Sequence, residues 1–171
     1  KALGILVQIE KVGKWNLTKC DDKDIIFTTT SDVYITLNDV KVKIGKFNVI
    51  CPWQTGSGIK IKNITNIVQG EYHHPHIKSS TICWGNIGTT VTELWAKKEF
   101  FIFLELIYDY LCGYKANDCY LSLDKWITNK EDLDKIGVRC KFCKQHPFTC
   151  KCKRCERCGN LVDECSCPAM A

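Results

Sequence analysis

The order of apolar and polar side chains predicts a series of short strands in the first half of the chain. From Val40 to Gly45 apolar residues alternate with lysines, and this period of two indicates a strand with one buried face and one exposed face. The Asn38-Asp39 dipeptide marks a turn before it. Further strands are predicted at residues 4–12, 25–30, 33–37, 48–51 and 59–68.

The connections between these predicted strands indicate an antiparallel meander. They have hairpin length, and a parallel arrangement would need long crossover connections. A Gly/Ser loop at residues 54–58 precedes the last of these strands. No helix is predicted at the N-terminus, because residues 4–12 are interpreted as a buried strand.

One long helix is predicted from Val91 to Cys112, with a length of about 33 Å. Thr90 and Glu93 have the spacing of a capping box, and Gly113 is placed to end the helix in a left-handed conformation. The second half of this segment is apolar on nearly every side, which favours a buried helix packed across the sheet.

The predicted fold class is therefore α+β, an antiparallel meander packed on a long central helix. Residues 121–127 are predicted to form a short helix or turn, and residues 130–135 a charged linker. The predicted organisation is a main domain at residues 1–128, a linker at 129–138 and a small C-terminal module at 139–171.

Cysteine dominates the C-terminal module, which contains eight of the 13 cysteines of the chain. They form an internal repeat with a period of 15 residues, in which each unit has the spacing C-x2-C-x6-C-x-C. Four thiolates are the ligand set of a closed tetrahedral zinc site, so two zinc ions are expected. The predicted ligands are Cys140, Cys143, Cys150, Cys152, Cys155, Cys158, Cys165 and Cys167.

Alternatives to this zinc assignment remain open at the level of sequence. The cysteines could form disulfides or hold an iron–sulfur cluster, ligands could pair between the two repeats, and His146 could replace one cysteine. The odd number of cysteines and their clustering favour metal in a reducing compartment, so a cytoplasmic location is expected. The other cysteines, Cys20, Cys51, Cys112 and Cys119, are predicted to be inert core thiols.

Charge does not change this interpretation. The net charge is +5, and residues 136–171 carry seven Lys/Arg against three Asp/Glu. A basic tail usually suggests nucleic acid, but two zinc ions with eight thiolates would offset that charge, which makes nucleic acid a minor alternative. The most apolar run, residues 100–111, is interrupted by Glu105 and Asp109 and is too short to span a bilayer, so no membrane association is expected.

Candidate catalytic residues are concentrated in the sequence HHPHIKSSTICWGN at residues 73–86, here called the His–Cys segment. Cys83 lies near three histidines and shortly before the predicted helix, and such surroundings favour the thiolate of a nucleophilic cysteine. The alternative is that Cys83 is a buried thiol and that the histidines pack structurally.

The His–Cys segment resembles the active-site flap of ubiquitin-conjugating enzymes. In that family a His-Pro-Asn tripeptide precedes the thioester-forming cysteine by one hairpin; here His74-Pro75-His76 precedes Cys83, with His76 in place of the asparagine. The hairpin is one residue shorter, and the cysteine is followed by Trp84-Gly85 where the family usually has Leu-Asp. The similarity extends weakly over residues 33–126, without the proline-rich loop or the N-terminal helix of the family.

This resemblance implies a conjugating enzyme. Cys83 would accept a ubiquitin-like protein as a thioester from an activating enzyme and pass it to an amine of a protein substrate. It further implies that His74 is structural, that His76 donates to the developing oxyanion or orders the loop, and that Asp118 or Asn117 helps the incoming lysine. Asn86 is expected to hold the segment.

Less specific roles are open for several of these residues. His76 could be a packing residue, His73 is expected to be a surface or strand-end residue, and Trp84 is expected to be a packing lid. The whole chain could also be a catalytically inactive binding or structural module of a larger assembly that docks through its zinc tail.

Overall fold

The computed structural model of the 171-residue chain describes residues 2–53 and 58–137. The chain divides into two units, residues 1–128 and residues 129–171, and the second contributes only residues 129–137 to the described part. The described elements are α-helices and antiparallel sheets, which confirms the mixed α+β class.

The chain begins with a helix, α1 (Ala2–Val12), so the predicted strand at residues 4–12 is wrong. Ile5 and Ile9 are buried while Leu6 and Val7 are exposed, and burial of residues four apart is the periodicity of a helix. Gly13 follows the helix at φ 68°, and its N–H donates to the carbonyl of Ile9 at 3.2 Å. Ile5, Leu6 and Val7 are consecutive apolar residues and show no period by themselves, which is why the sequence was misleading here.

Six strands come next in the chain: β1 (Trp15–Cys20), β2 (Asp24–Thr29), β3 (Val33–Leu37), β4 (Val40–Gly45), β5 (Phe47–Pro52) and β6 (Lys60–Asn63). Four of them form the main sheet in the order β1-β2-β5-β6, with every neighbouring pair antiparallel. A second hairpin, β3-β4, lies between β2 and β5 in the sequence. Its strands pair from Tyr34 with Lys43 to Leu37 with Val40, and the register shifts between Tyr34 and Val33, which pairs with Gly45.

The predicted antiparallel strands and their turns are largely confirmed. β4 has the alternating burial that its lysines indicate, and the turn at Asn38 and Asp39 has positive φ at both residues, 48° and 62°. The predicted strand at residues 59–68 is shorter and ends at Asn63. Most of the Gly/Ser loop, residues 54–57, lies outside the described residues.

The predicted long helix is two helices, α2 (Gly88–Ala96) and α3 (Phe100–Cys112). They are separated at Lys98, which has φ 60° and donates from Nζ to the carbonyl of Trp53 at 2.9 Å. The break lets Trp95 and Phe100 pack against each other with ring centroids 5.4 Å apart. Five positions along one straight helix would turn them about 140° apart, so their shared packing requires the break.

The predicted start of that helix is wrong, whereas its predicted last residue, Cys112, is confirmed as the end of α3. α2 begins at Gly88, after a 3-10 turn at residues 85–87, so Thr90 and Glu93 lie inside the helix and form no capping box. Gly113 follows α3 with φ −86° and ψ 151°, which is extended and not left-handed. The terminal residues of a helix depend on packing as well as on capping preferences.

One face of α3 is buried against the rest of the main unit, residues 1–128. Phe103, Leu104, Ile107 and Leu111 are buried, and the carbonyl of Leu104 accepts the indole N–H of Trp15 at 3.2 Å. The opposite face is exposed, with Phe101 40% and Ile102 51% accessible, so α3 is not buried on every side as predicted.

The predicted short helix at residues 121–127 is confirmed as a 3-10 helix, Leu123–Trp126. The predicted charged linker is instead a helix, α4 (Lys130–Lys135), whose first turn is capped by the side chain of Asn129 accepting from Asp132 N at 2.8 Å. Within the described part of the chain, no helix combines the length and apolar content that crossing a membrane requires.

Candidate active site

The His–Cys segment folds as a small three-stranded antiparallel sheet, β7 (Tyr72–His74), β8 (Ile77–Lys78) and β9 (Thr81–Ile82). The β8-β9 turn contains Ser79 at φ 53°. The N–H of Cys83 donates to the carbonyl of His76 at 3.0 Å and closes this hairpin at its base. Cys83 therefore leaves the sheet just before the 3-10 turn that leads into α2.

Cys83 is half-buried and lines a cleft of about 390 Å³. The cleft lies between the His–Cys segment, α3 and the loop after α3. The described thiols are all free, and Cys83 is the one that lines this cleft. The other cleft residues are His76, Trp84, Gly85, Asn86, Ile87, Leu106, Asp109, Tyr110, Gly113, Tyr114, Lys115 and Asp118.

The remaining described cysteines differ in burial. Cys51 is fully buried, and burial raises the pKa of its thiol well above the ordinary value, as expected of an inert core thiol. Cys20, Cys112 and Cys119 are half-buried, so their prediction as core thiols is wrong. Burial raises the pKa of the Cys112 thiol.

His74 is fully buried behind the cleft and bonds to backbone at both ring nitrogens. The N–H of His76 donates to its Nδ1 at 3.1 Å, so the neutral ring carries its proton on Nε2 and donates to the carbonyl of Leu111 at 3.0 Å. Burial lowers the pKa of His74 to about 3. The neutral ring therefore connects the His–Cys segment to α3 through these two hydrogen bonds.

His76 is 6% exposed, and both of its ring nitrogens also bond to backbone. The N–H of Lys115 donates to Nε2 at 3.0 Å, which leaves Nδ1–H to donate to the carbonyl of Asp118 at 2.8 Å. Of the two roles that the resemblance implies, this geometry matches ordering of the loop. It leaves His76 without a ring N–H to offer to an oxyanion.

The loop after α3 is held against the His–Cys segment at a second point. The carbonyl of Pro75 accepts the N–H of Tyr120 at 2.9 Å and that of Leu121 at 3.3 Å. A 3-10 turn, Ala116–Asp118, lies between these contacts and places Asp118 on the cleft wall. Asn117 belongs to the same turn but does not line the cleft.

Tyr110 of α3 is a site residue that the sequence did not reveal. Its hydroxyl lies 3.1 Å from the carbonyl of Cys83 and 3.3 Å from that of His76. Its ring stacks on His74 at 5.7 Å and contacts Trp84 at 5.2 Å. Within an apolar helical run, a tyrosine carries no sequence signal that separates a hydroxyl donor from a packing ring.

Polar groups on the cleft wall determine its chemistry. Asn86 and Asp118 are exposed and line the cleft together with Cys83. Asp109 and Lys115 also line it and add a second carboxylate and one ammonium group. Trp84 packs on Tyr110, which agrees with its expected place as a packing lid.

His73 faces away from the cleft chemistry. It is 9% exposed, and its Nδ1 accepts the N–H of Asn63 at 3.1 Å, so its prediction as a surface or strand-end residue is wrong. Burial lowers the pKa of His73. A histidine in the middle of a short strand is buried by its neighbours in the sheet, which single-residue polarity does not predict.

The predicted zinc ligands, Cys140 to Cys167, and His146 lie outside the described residues. Among residues 2–53 and 58–137, no group of His, Cys, Asp and Glu side chains is arranged to hold a metal ion. The zinc assignment therefore stays a prediction from the cysteine spacing.

The structure brings Cys83, His76, Asn86 and Asp118 to one cleft and places His74 directly behind it. A scan against protein-family models, a search of curated proteins and a search of solved structures each found no match for the chain. The geometry of the cleft and the resemblance in the His–Cys segment are therefore what indicates a function.

Proposed function

We propose that the chain is a ubiquitin-conjugating-like enzyme. It carries a ubiquitin-like protein as a thioester on Cys83 and transfers it to an amine of a protein substrate. The observation that carries this proposal is the half-buried Cys83 thiol on the wall of an open cleft, beside a carboxylate and a side-chain amide. A soft nucleophile with a good leaving group is what acyl transfer to an amine requires.

The first step exchanges one thioester for another. The Cys83 thiolate attacks the C-terminal carbonyl carbon of the modifier held on the activating enzyme. A new S–C bond forms at Cys83, the former S–C bond breaks, and the activating enzyme leaves as its thiolate. The negative charge that develops on the carbonyl oxygen needs a donor, and the side-chain amide of Asn86 is a neutral N–H donor on the cleft wall.

The second step forms an amide. A lysine amine attacks the thioester carbon, the N–C bond forms, and Cys83 leaves as thiolate. The proton released by the amine passes to a base, for which the exposed carboxylate of Asp118 is suited by its place on the cleft wall. His76 contributes by fixing the backbone of Asp118 through a 2.8 Å hydrogen bond.

A second candidate is an inactive binding module with the same fold, docking through its zinc tail. One observation favours it: both ring nitrogens of His76 are engaged by backbone, so the residue in the family's asparagine position offers no donor. The two candidates differ in whether Cys83 forms a covalent adduct.

Charging of Cys83 separates the two candidates. The protein is incubated with an activating enzyme, ATP and its ubiquitin-like protein, and the products are separated without reductant. The enzyme proposal predicts a reductant-sensitive adduct that disappears in Cys83→Ala and persists in Cys112→Ala, the matched cysteine variant on α3. Absence of the adduct with several such pairs supports the binding module.

Discharge of the adduct tests Asp118. Asp118→Asn is expected to form the thioester at the wild-type rate but to transfer it to free lysine about tenfold more slowly or worse, because the proton acceptor is lost. Asp39→Asn, at the β3-β4 turn, is the control and is expected to discharge normally. Equal discharge by wild type and Asp118→Asn would remove Asp118 from the mechanism.

A further inference from the structure

We propose that the hydroxyl of Tyr110 positions Cys83 by fixing both ends of the hairpin, residues 76–83, to helix α3. Tyr110 is thus a positioning residue that acts through the backbone of the nucleophile. Its effect on thioester formation rests on the proposed function, whereas its effect on the presentation of the thiol does not.

The hydrogen bonds define this attachment. Cys83 N–H and the His76 carbonyl close the hairpin at 3.0 Å, and the Tyr110 hydroxyl lies across that closing pair, 3.1 Å from the Cys83 carbonyl and 3.3 Å from the His76 carbonyl. The single hydroxyl of Tyr110 therefore contacts the carbonyls of both the first and the last residue of the hairpin, His76 and Cys83.

The next residue of α3 holds the same segment from behind. The carbonyl of Leu111 accepts Nε2–H of His74 at 3.0 Å. Consecutive residues of α3 thus attach the nucleophile through Tyr110 and the buried histidine through Leu111. The buried face of α3 packs in the core of the unit, so the attachment is to a fixed element and not to a loop.

Tyr110 keeps its proton under ordinary conditions. Burial raises the pKa of its phenol above the usual value, and the neighbouring Cys83 thiolate acts in the same direction. Its ring is held between His74 and Trp84, at centroid distances of 5.7 Å and 5.2 Å. The hydroxyl therefore remains a neutral hydrogen-bond donor, and the packing of the ring fixes its orientation.

Removing the hydroxyl separates two kinds of reactivity at Cys83. In Tyr110→Phe the ring and its packing remain, but the Cys83 and His76 carbonyls lose this donor. A small reagent reaches a loosened thiol more easily, whereas transfer from a bulky protein thioester needs the sulfur held in one orientation. The two reactions are thus expected to change in opposite directions.

The experiment measures alkylation of the full chain by iodoacetamide, with the modified cysteines identified by mass spectrometry, alongside the rate of thioester formation. In Tyr110→Phe, alkylation of Cys83 is expected to become about threefold faster, the scale of one lost hydrogen bond. Alkylation of Cys112, on the same helix, is expected to stay within about twofold of wild type, because a general loosening would accelerate both. Thioester formation is expected to fall about tenfold.

Tyr108→Phe is the matched control, since Tyr108 lies on the same helix with its ring against Trp15. It is expected to leave both rates at Cys83 unchanged. Unchanged alkylation of Cys83 in Tyr110→Phe, or an equal increase at Cys112 or in Tyr108→Phe, overturns the proposal. If wild type forms no thioester, the proposed function fails while the alkylation result still decides the positioning role.

A second variant covers the case in which Tyr110→Phe does not fold. Incorporation of 3,5-difluorotyrosine at position 110 keeps the ring and the hydroxyl but makes the hydroxyl more acidic. Burial raises the pKa of this phenol as it does that of Tyr110, so at neutral pH the hydroxyl stays protonated and donates a stronger hydrogen bond. Alkylation of Cys83 at neutral pH is therefore expected to be slower than in wild type, by about twofold, with alkylation of Cys112 unchanged. An unchanged or faster alkylation of Cys83 overturns the proposal.

Discussion

His74 and His76, two residues apart, both use their ring nitrogens to hold backbone. His74 ties the His–Cys segment to α3, and His76 ties it to the loop at residues 115–118. Both nitrogens of each ring are therefore engaged by backbone groups. The chemistry of the cleft is thereby left to Cys83, Asn86 and Asp118, with the histidines setting where those groups lie.

Burial of His74 predicts a loss of stability in acid. Its pKa is about 3 in the folded chain and 6.5 ordinarily, so between these values the unfolded chain binds a proton that the folded chain does not. Stability is therefore full above pH 6.5 and decreases as the pH falls, by up to about 1.4 kcal/mol per pH unit. Urea unfolding followed by tryptophan fluorescence at several pH values measures this dependence.

The variant His74→Gln isolates the contribution of His74. It is expected to be less stable at neutral pH by about 2–4 kcal/mol, because the buried hydrogen bonds of the ring with the Leu111 carbonyl and the His76 N–H are disrupted. It is also expected to lose stability less steeply than wild type below pH 6.5. Parallel pH dependences for the two proteins would contradict the assignment of a buried neutral ring at position 74.

At the scale of elements, Asn63 joins three parts of the sheet region at the end of β6. Its side-chain N–H groups donate to the carbonyls of Ile44 at 2.8 Å and His73 at 3.1 Å. Its Oδ1 accepts the N–H groups of Thr65 at 3.0 Å and Asn66 at 2.8 Å. The amide thus connects β4, β7 and the turn that leads to the His–Cys segment.

Asn63→Ala is expected to lower the free energy of unfolding by about 2–4 kcal/mol, since the side-chain hydrogen bonds are lost and the carbonyls of Ile44 and His73 stay buried without this donor. Urea unfolding measures the change. The control is Asn16→Ala, at an exposed position of β1, which is expected to change stability by less than about 0.5 kcal/mol. A similar decrease in the free energy of unfolding in both variants would show that Asn63 does not connect these elements.

The strands were more predictable than the helices, for a physical reason. Residues 33–37 and 40–45 alternate visibly because one face of the β3-β4 hairpin is buried. The break between α2 and α3 depends on Trp95 and Phe100 packing together, which is a tertiary requirement. The apolar run of α1 fits a buried strand equally well until its neighbours are known.

The site shows the same division between local and distant information. Cys83, His76 and Asn86 could be proposed together because they are neighbours in the sequence, and Asp118 because of where a loop follows the helix. Tyr110 could not, since its role depends on α3 crossing behind the His–Cys segment, 27 residues after Cys83. Local motifs identify the nucleophile, but tertiary packing identifies what holds it.

For the molecule as a whole, the cysteine repeat predicts two sources of stability, an apolar core in residues 1–128 and bound metal in the C-terminal module. Residues 139–171 contain few apolar side chains, so metal binding would supply the free energy of folding for that module. We therefore propose that the chain combines a core-stabilised catalytic unit with a zinc-stabilised tail.

Metal analysis of the purified full chain is expected to find about two zinc ions per molecule. The double variant Cys140→Ser/Cys143→Ser is expected to hold about one, because it disrupts one four-thiolate site. Cys83→Ala is expected to keep both ions, since Cys83 lies on the cleft and not in the repeat. Protein purified without chelators and found free of zinc would contradict the proposal.

Mass spectrometry of the charged protein identifies the acylated residue, on which the proposed activity depends. After charging with an activating enzyme, ATP and a ubiquitin-like protein, intact mass spectrometry should show one added modifier, less one water. The adduct should be lost with reductant, and peptide mapping should place it on Cys83. An adduct on another cysteine, or no mass increase with any activating enzyme and modifier pair that charges a known conjugating enzyme, would contradict the account.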